Sequence, residues 1–219
     1  MAFHYSPKIV TDGLILYLDA ANYKSYPGSG TIWTDISKSD YNATLTNTTF
    51  NSSNNGSLLF DGLNSFATIS NFSIGTTYTI NVWFKQTSAI ANRGLFGLSG
   101  TNDGFFYLGG SGSNPEVGIA VKISGVPSYS LSIPVTSPTI WNMATYVING
   151  NSYTIYLNAG SELSGVLSGL PNSGTAYVGM YPDLQGRFNG NISNVSVYSR
   201  SLSKNEIQSC YKAMISRYQ

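Results

Sequence analysis

The 219-residue chain sets 11 Lys and Arg against 10 Asp and Glu, holds charged residues to 10%, and carries one His and one Cys. Scattered, near-neutral charge excludes the electrostatic footprint of a nucleic-acid binder. One cysteine excludes an internal disulfide, and one His with one Cys excludes a zinc-type cluster.

The remaining composition, 16 Tyr, 10 Phe and 23 Gly, suits pleated, half-buried strands joined by tight turns. From the amino terminus, residues 1–8 read as a loose segment and residues 9–219 as one domain. Met1–Pro7 holds no apolar signal core, and no apolar run is long enough to cross a membrane. The expectation is a protein made in a cytoplasm, without a cleaved signal and without membrane insertion. His4 falls in the loose segment, as an exposed or interface residue.

Short apolar or alternating runs then follow one another, separated by Gly, Asn, Ser and Pro. The predicted strands are Gly13–Asp19, Ser57–Phe60, Phe66–Ile69, Tyr78–Lys85, Gly94–Leu98 and Phe105–Leu108. Val117–Ile123, Tyr129–Ile133, Trp141–Ile148, Tyr153–Leu157, Ala176–Gly179 and Asn191–Tyr198 complete the set. The polar stretch between Ser37 and Asn55 reads as connecting loop with one edge strand around Tyr41–Leu45. Along Tyr78–Phe84, alternation puts Tyr78, Ile80, Val82 and Phe84 on one face and Thr79, Asn81 and Trp83 on the other. Asn149-Gly150 marks a hairpin turn between Trp141 and Leu157. Ile192, Val195 and Val197 cannot share one face of a regular strand, which predicts a bulge or burial on both sides.

The chain ends differently. Ser203 and Glu206 stand three apart as a capping box, with Leu202 and Ile207 placed as a hydrophobic staple. Ile207, Cys210, Tyr211, Met214 and Tyr218 follow at helical spacing, which predicts an amphipathic helix over 203–217 with Cys210 a small core residue. The fold class is therefore all-β, a two-sheet antiparallel jelly-roll sandwich with one C-terminal helix.

Catalysis finds no support. Glycan cleavage uses two neighbouring carboxylates, and no two of the ten acidic residues lie within four positions on a predicted strand. A Ser/His/Asp arrangement needs a firmly held imidazole, which His4 does not offer. The protein is expected not to be an enzyme.

Three stretches carry a resemblance: Asp12–Asp35 with its Tyr26-Pro27-Gly28, Ser57–Phe66 with its Asp61-Gly62 turn, and Phe188–Ile207, where a strand, a turn and a capped helix follow in order. Together they resemble the laminin-G-like, pentraxin-related domains of the concanavalin A-like lectin/glucanase superfamily. The opening stretch is similar to versions in tailed-phage and other viral structural proteins. What the resemblance implies is a virion structural or decoration protein, exposing a sandwich face for attachment or glycan contact. Its partners are then capsid or tail proteins and host-surface glycan, with Phe3, Tyr5 and the terminal helix as candidate anchors. The alternative is a free carbohydrate-binding or adhesion module.

The same resemblance implies candidate sites. No cofactor is required. Calcium is the one metal implied, with Asn102, Asp103, Asp183 and Gln185 as oxygen ligands, although the same residues also serve as turn formers. Aromatic platforms for sugar are Tyr107, Tyr129, Tyr181 and Trp33, with Tyr146 a further contributor.

Overall fold

Side-chain alternation along Tyr78–Phe84 organises the sandwich from its centre. The computed structural model describes residues 8–100, 102–169 and 174–219, so Phe3, His4 and Tyr5 lie outside the described residues. Tyr78, Ile80, Val82 and Phe84 point between two sheets, where they join the main apolar core. Trp83 joins a second cluster on the opposite side of the same strand.

In chain order the strands are β1 (Leu14–Asp19), β2 (Ile32–Trp33), β3 (Ala43–Thr46), β4 (Thr49–Asn51), β5 (Ser57–Asp61) and β6 (Phe66–Phe72). Next come β7 (Thr77–Gln86), β8 (Arg93–Ser99), β9 (Asn102–Ser111), β10 (Asn114–Ile123), β11 (Val126–Tyr129) and β12 (Ile133–Pro134). The last are β13 (Asn142–Asn149), β14 (Ser152–Leu157), β15 (Ser161–Val166), β16 (Gly174–Val178) and β17 (Asn189–Tyr198), before the helix α1 (Lys204–Ile215).

One sheet runs β15-β14-β13-β7-β17-β5-β4, with β1 also paired to β17. The other runs β11-β10-β9-β8-β16-β6-β3-β2, with β12 also paired to β10. Every pairing is antiparallel. This is the expected all-β, two-sheet jelly-roll sandwich with one C-terminal helix.

The predicted irregularity in the last strand is a bulge. Between Ile192 and Asn194 the register of β17 against β7 shifts, so that Ile192 faces Phe84 and Asn194 faces Trp83. One inserted residue returns the side chains that follow to the other face. Ile192, Val195 and Val197 consequently all reach the main core. Ser193, at the shift, donates its hydroxyl to the Gly56 carbonyl at 2.9 Å and is fully buried.

α1 lies on the outer side of the sheet that contains β7. Its N-cap Ser203 and Glu206 form the predicted capping box. Ile207, Cys210 and Met214 are buried against Trp83, Met143 and Tyr198. Tyr218 extends the stripe, with its ring 4.5 Å from that of Trp83 and 4.6 Å from that of Trp141. The apolar face of the terminal segment is thus used within the molecule. No helix among the described residues is long and apolar enough to cross a membrane.

Several local expectations are corrected. Tyr129–Ile133 is not one strand: β11 ends at Tyr129 and β12 begins at Ile133. The ladder breaks because the Ser130 hydroxyl, not a backbone carbonyl, accepts the Ile119 amide at 2.8 Å. The polar stretch before Asn55 holds the strand expected around Tyr41–Leu45, as β3, but between β2 and β6 and not at an edge, and it also holds β4. β15 is an edge strand with no predicted counterpart. The helix ends at Ile215. Asn191 and Asn194 of β17 are buried, with their amides donated to the Ser57 hydroxyl and to the Leu18 carbonyl.

Candidate functional site

The floor of the site follows from alternation on two paired strands. Phe106 and Leu108 of β9, with Val117, Ile119 and Val121 of β10, point into the main core. The intervening residues point away from it. Register sets Phe105 opposite Ala120, Tyr107 opposite Gly118, Gly109 opposite Glu116, and Asp103 opposite Lys122. A Cβ added at Gly109 would come within 2.4 Å of Tyr107 Cε2, and one at Gly118 within 3.1 Å of Tyr107 Cζ. The Tyr107 ring therefore lies down across two glycines, presenting an aromatic face on the outside of the sheet.

A wall rises beside this floor from the loop after β16. Its backbone rests directly on β8, since a Cβ at Gly94 would meet the Met180 carbonyl carbon at 2.4 Å. The Gly94 amide donates to the Gly186 carbonyl at 2.6 Å, and the Tyr181 amide to the Gln185 carbonyl at 3.0 Å. Leu184 takes a left-handed φ of 64° at the loop tip, a conformation that costs an L-residue free energy and persists because the loop is pinned at both ends. The Tyr181 ring stands at 88° to that of Tyr107, centroids 6.2 Å apart, and at 69° to Phe105 at 5.4 Å.

Floor and wall enclose a depression of about 460 Å³, within the range of small-molecule sites. Its base is Ala120, only 4% exposed. Tyr129, paired with Ala120 across β11, is 66% exposed and closes the far side. Asn92, Lys122, Pro127 and Asp183 complete the rim. Burial, followed by the neighbouring Tyr129 and Glu116, pushes the Tyr107 phenol up to about 12. Burial likewise raises Tyr181, so both are neutral hydrogen-bonding groups at ordinary pH.

Of the aromatic residues singled out in the sequence, Tyr107, Tyr129 and Tyr181 come together around this depression. Trp33 does not. It is fully buried in the main core and offers no ring face to a ligand. Its place on β2, opposite Ala43 of β3, turns it inward to the main core instead of outward. Tyr146 is also fully buried, beneath the floor, where its hydroxyl donates to the Tyr107 carbonyl at 3.4 Å.

Two of the oxygen ligands implied for calcium, Asp103 and Asp183, are each engaged locally. Asp103 Oδ1 accepts the Gly100 amide at 3.3 Å, and Asp183 Oδ1 accepts the Gln185 amide at 3.2 Å, so each carboxylate caps its own turn. The cross-strand partner of Asp103 is the cation Lys122. Asp183 lines the depression, whereas Asn102, Asp103 and Gln185 do not. Among the described residues no three His, Cys, Asp or Glu side chains form a metal-holding group. A calcium ion takes six to eight oxygens, and one oxygen of each of these two carboxylates is already committed to a backbone amide of its own turn.

Phe105, Ala120, Gly109, Gly118 and Lys122 belong to the site and were not singled out. Their signal was present in the sequence as Phe105-x-Tyr107-x-Gly109 and Gly118-x-Ala120-x-Lys122, large and small residues on one outward face. Reading it requires the β9–β10 register, which pairing alone supplies.

Residues 60–208 match the laminin G family described as the concanavalin A-like lectin/glucanases superfamily. Among solved structures, the chain resembles domain 4 of AbnA, a GH43 extracellular arabinanase from Geobacillus stearothermophilus solved with arabinotriose. The TM-score is 0.70 at 12% identity, covering 91% of this chain and 98% of that one. It also resembles the botulinum neurotoxin type G receptor binding domain, at TM-score 0.66 and 16% identity, covering 92% of this chain and 51% of that one. The Trypanosoma rangeli sialidase solved with the inhibitor DANA matches at TM-score 0.61 and 15% identity, covering 96% of this chain and 34% of the sialidase. At these identities the likeness is one of fold. No curated protein sequence matches this one. With the family match extending over more than half of the chain, the protein belongs to the concanavalin A-like lectin/glucanases superfamily.

Proposed function

We propose that the protein is a non-catalytic carbohydrate-binding module, and that the depression over Ala120 is where sugar binds. The observation that carries this reading is the Tyr107 ring laid across Gly109 and Gly118 with Tyr181 upright beside it. The C–H-rich face of a pyranose stacks on such a ring, while rim groups hydrogen-bond its hydroxyls. Asp183 is the one carboxylate in the lining, whereas glycoside cleavage calls for two. The resemblance to a domain solved with arabinotriose and to receptor binding domains supports a binding role.

A glycan array followed by calorimetry tests the reading. The expected result is binding that Tyr107→Ala abolishes and a chelator leaves unchanged, because the acidic side chains cap their own turns. Silence on a broad array overturns it.

Display on a virus particle, with capsid or tail proteins as partners, is the setting inferred from the opening segment Asp12–Asp35. That inference rests on sequence resemblance alone. Mass spectrometry of purified particles tests it: high copy number supports a decoration role, and absence removes it.

A further inference from the structure

The depression has two aromatic directions and one small base, a shape more selective than a flat platform. A sugar ring lying on Tyr107 presents its edge to Tyr181, whose plane is turned by 88°, and to Phe105, which packs on Tyr181 at 5.4 Å. The edge of an unsubstituted hexose is a belt of hydroxyls. At the side formed by the Phe105 ring, the Ala120 methyl and the Pro127 ring, the hydroxyls that face it lose water without gaining partners, while the rim groups serve the others. A substituent that ends in a methyl group fills the same space favourably.

The polar groups at the rim narrow the substituent. Lys122 and Asp183 both face the depression, and neither forms an ion pair among the described residues. Asp183 uses Oδ1 for the Gln185 amide, and no hydrogen bond to Oδ2 is present among the described residues. A free acceptor oxygen suits an amide N–H, and an ammonium suits an amide carbonyl. A methyl joined to an amide is an acetamido group.

We infer that the depression takes an N-acetylated amino sugar, its ring on Tyr107 and its acetyl methyl at the end formed by Phe105, Ala120 and Pro127. The inference rests on the carbohydrate-binding reading above. Asp183 accepts the acetamido N–H and Lys122 donates to its carbonyl. No bond is made or broken.

Matched probes isolate the acetamido group. N,N′,N″-triacetylchitotriose and cellotriose share one backbone and linkage and differ at that substituent; N-acetylgalactosamine and galactose form a second pair. Calorimetric titration of the full chain is expected to favour the acetylated member of a pair by about tenfold, the scale of one well-filled methyl pocket. Asp183→Ala removes the acceptor and Ala120→Leu fills the base. Each is expected to bring that ratio towards one while the thermal unfolding midpoint stays in place, which separates lost selectivity from lost folding. Equal affinity within both pairs overturns the acetamido assignment and leaves the carbohydrate reading standing. Binding of other array glycans, with neither pair bound, overturns the assignment in the same way. Binding of no glycan at all overturns both.

Discussion

Arg217, just beyond the terminal helix, reaches Asp19 at the end of β1, 198 positions earlier, by a two-pronged contact: Nη1 to Oδ1 at 2.7 Å and Nη2 to Oδ2 at 3.1 Å. The Asp19 carboxylate is nearly inaccessible, and Oδ1 also accepts the Ala21 amide at 3.0 Å. Removing one partner of such a pair leaves a buried charge uncompensated, at about 3–5 kcal/mol. Arg217→Ala is therefore expected to lower the unfolding free energy by about that amount in urea titration. A loss below about 1 kcal/mol would class the pair with ordinary surface bridges.

The helix start makes a pH prediction. Hydrogen bonds from Arg200, then from the Ser203 amide and hydroxyl, hold Glu206 down to about 2 from an ordinary 4.5. A carboxylate with a lowered folded pKa contributes stability that is complete above the unfolded value and lost as pH falls towards the folded one. Thermal midpoints should decline between about pH 4.5 and 2, and Glu206→Ala should flatten that part of the curve. Ser203→Ala should cost about 1 kcal/mol at neutral pH, a few degrees of melting temperature for a chain of this size.

Gly109→Ala tests the floor. Gly109 has an ordinary φ, so alanine is tolerated by the backbone, but its Cβ would stand 2.4 Å from Tyr107 Cε2 and lift the ring. Glycan affinity should fall at least about tenfold, the equivalent of about 1.4 kcal/mol, with circular dichroism unchanged. Retained affinity would mean that Tyr107 is not the platform.

Trp33→Ala is expected to act in the opposite way. Losing a fully buried indole costs about 3–5 kcal/mol. The folded fraction should bind glycan with unaltered affinity, because the ring lies in the core and does not line the depression. Weaker binding by the folded fraction would contradict this placement.

The phenols predict behaviour in alkali. Tyr107 is pushed up to about 12 by burial and by its neighbours Tyr129 and Glu116. In the unfolded chain it ionises near 10, so its contribution to stability is complete below pH 10 and is lost as pH rises towards 12. Glycan binding should be flat from about pH 6 to 9. Ultraviolet titration should show a tyrosine class that ionises only on unfolding.

Much of the architecture was legible because it depends on local pattern. Alternation in Tyr78–Phe84, the Asn149-Gly150 turn and the Ser203/Glu206 cap each specify their element from a few neighbouring residues. An irregularity in β17 was legible too, as a bulge or burial on both sides, since Ile192, Val195 and Val197 cannot share one face of a regular strand. The register shift between Ile192 and Asn194 makes it a bulge. β15 was not legible: its Ser161–Val166 is polar and mostly exposed, and β14 supplies its pairing. The site was half legible. An aromatic residue shows in sequence, but whether it faces solvent does not: Trp33 and Tyr107 look alike there, and only strand position buries one and lays the other flat.

The alternation of β9 and β10 has an evolutionary consequence. Phe106, Leu108, Val117, Ile119 and Val121 answer to the core, while Phe105, Tyr107, Gly118 and Ala120 lie on the opposite, outward face. The two sets are interleaved along the same backbone yet never share a face. Selection can rewrite the outward set while the inward one keeps the sheet assembled, so a lineage built on these strands is free to change that surface many times without refounding its fold.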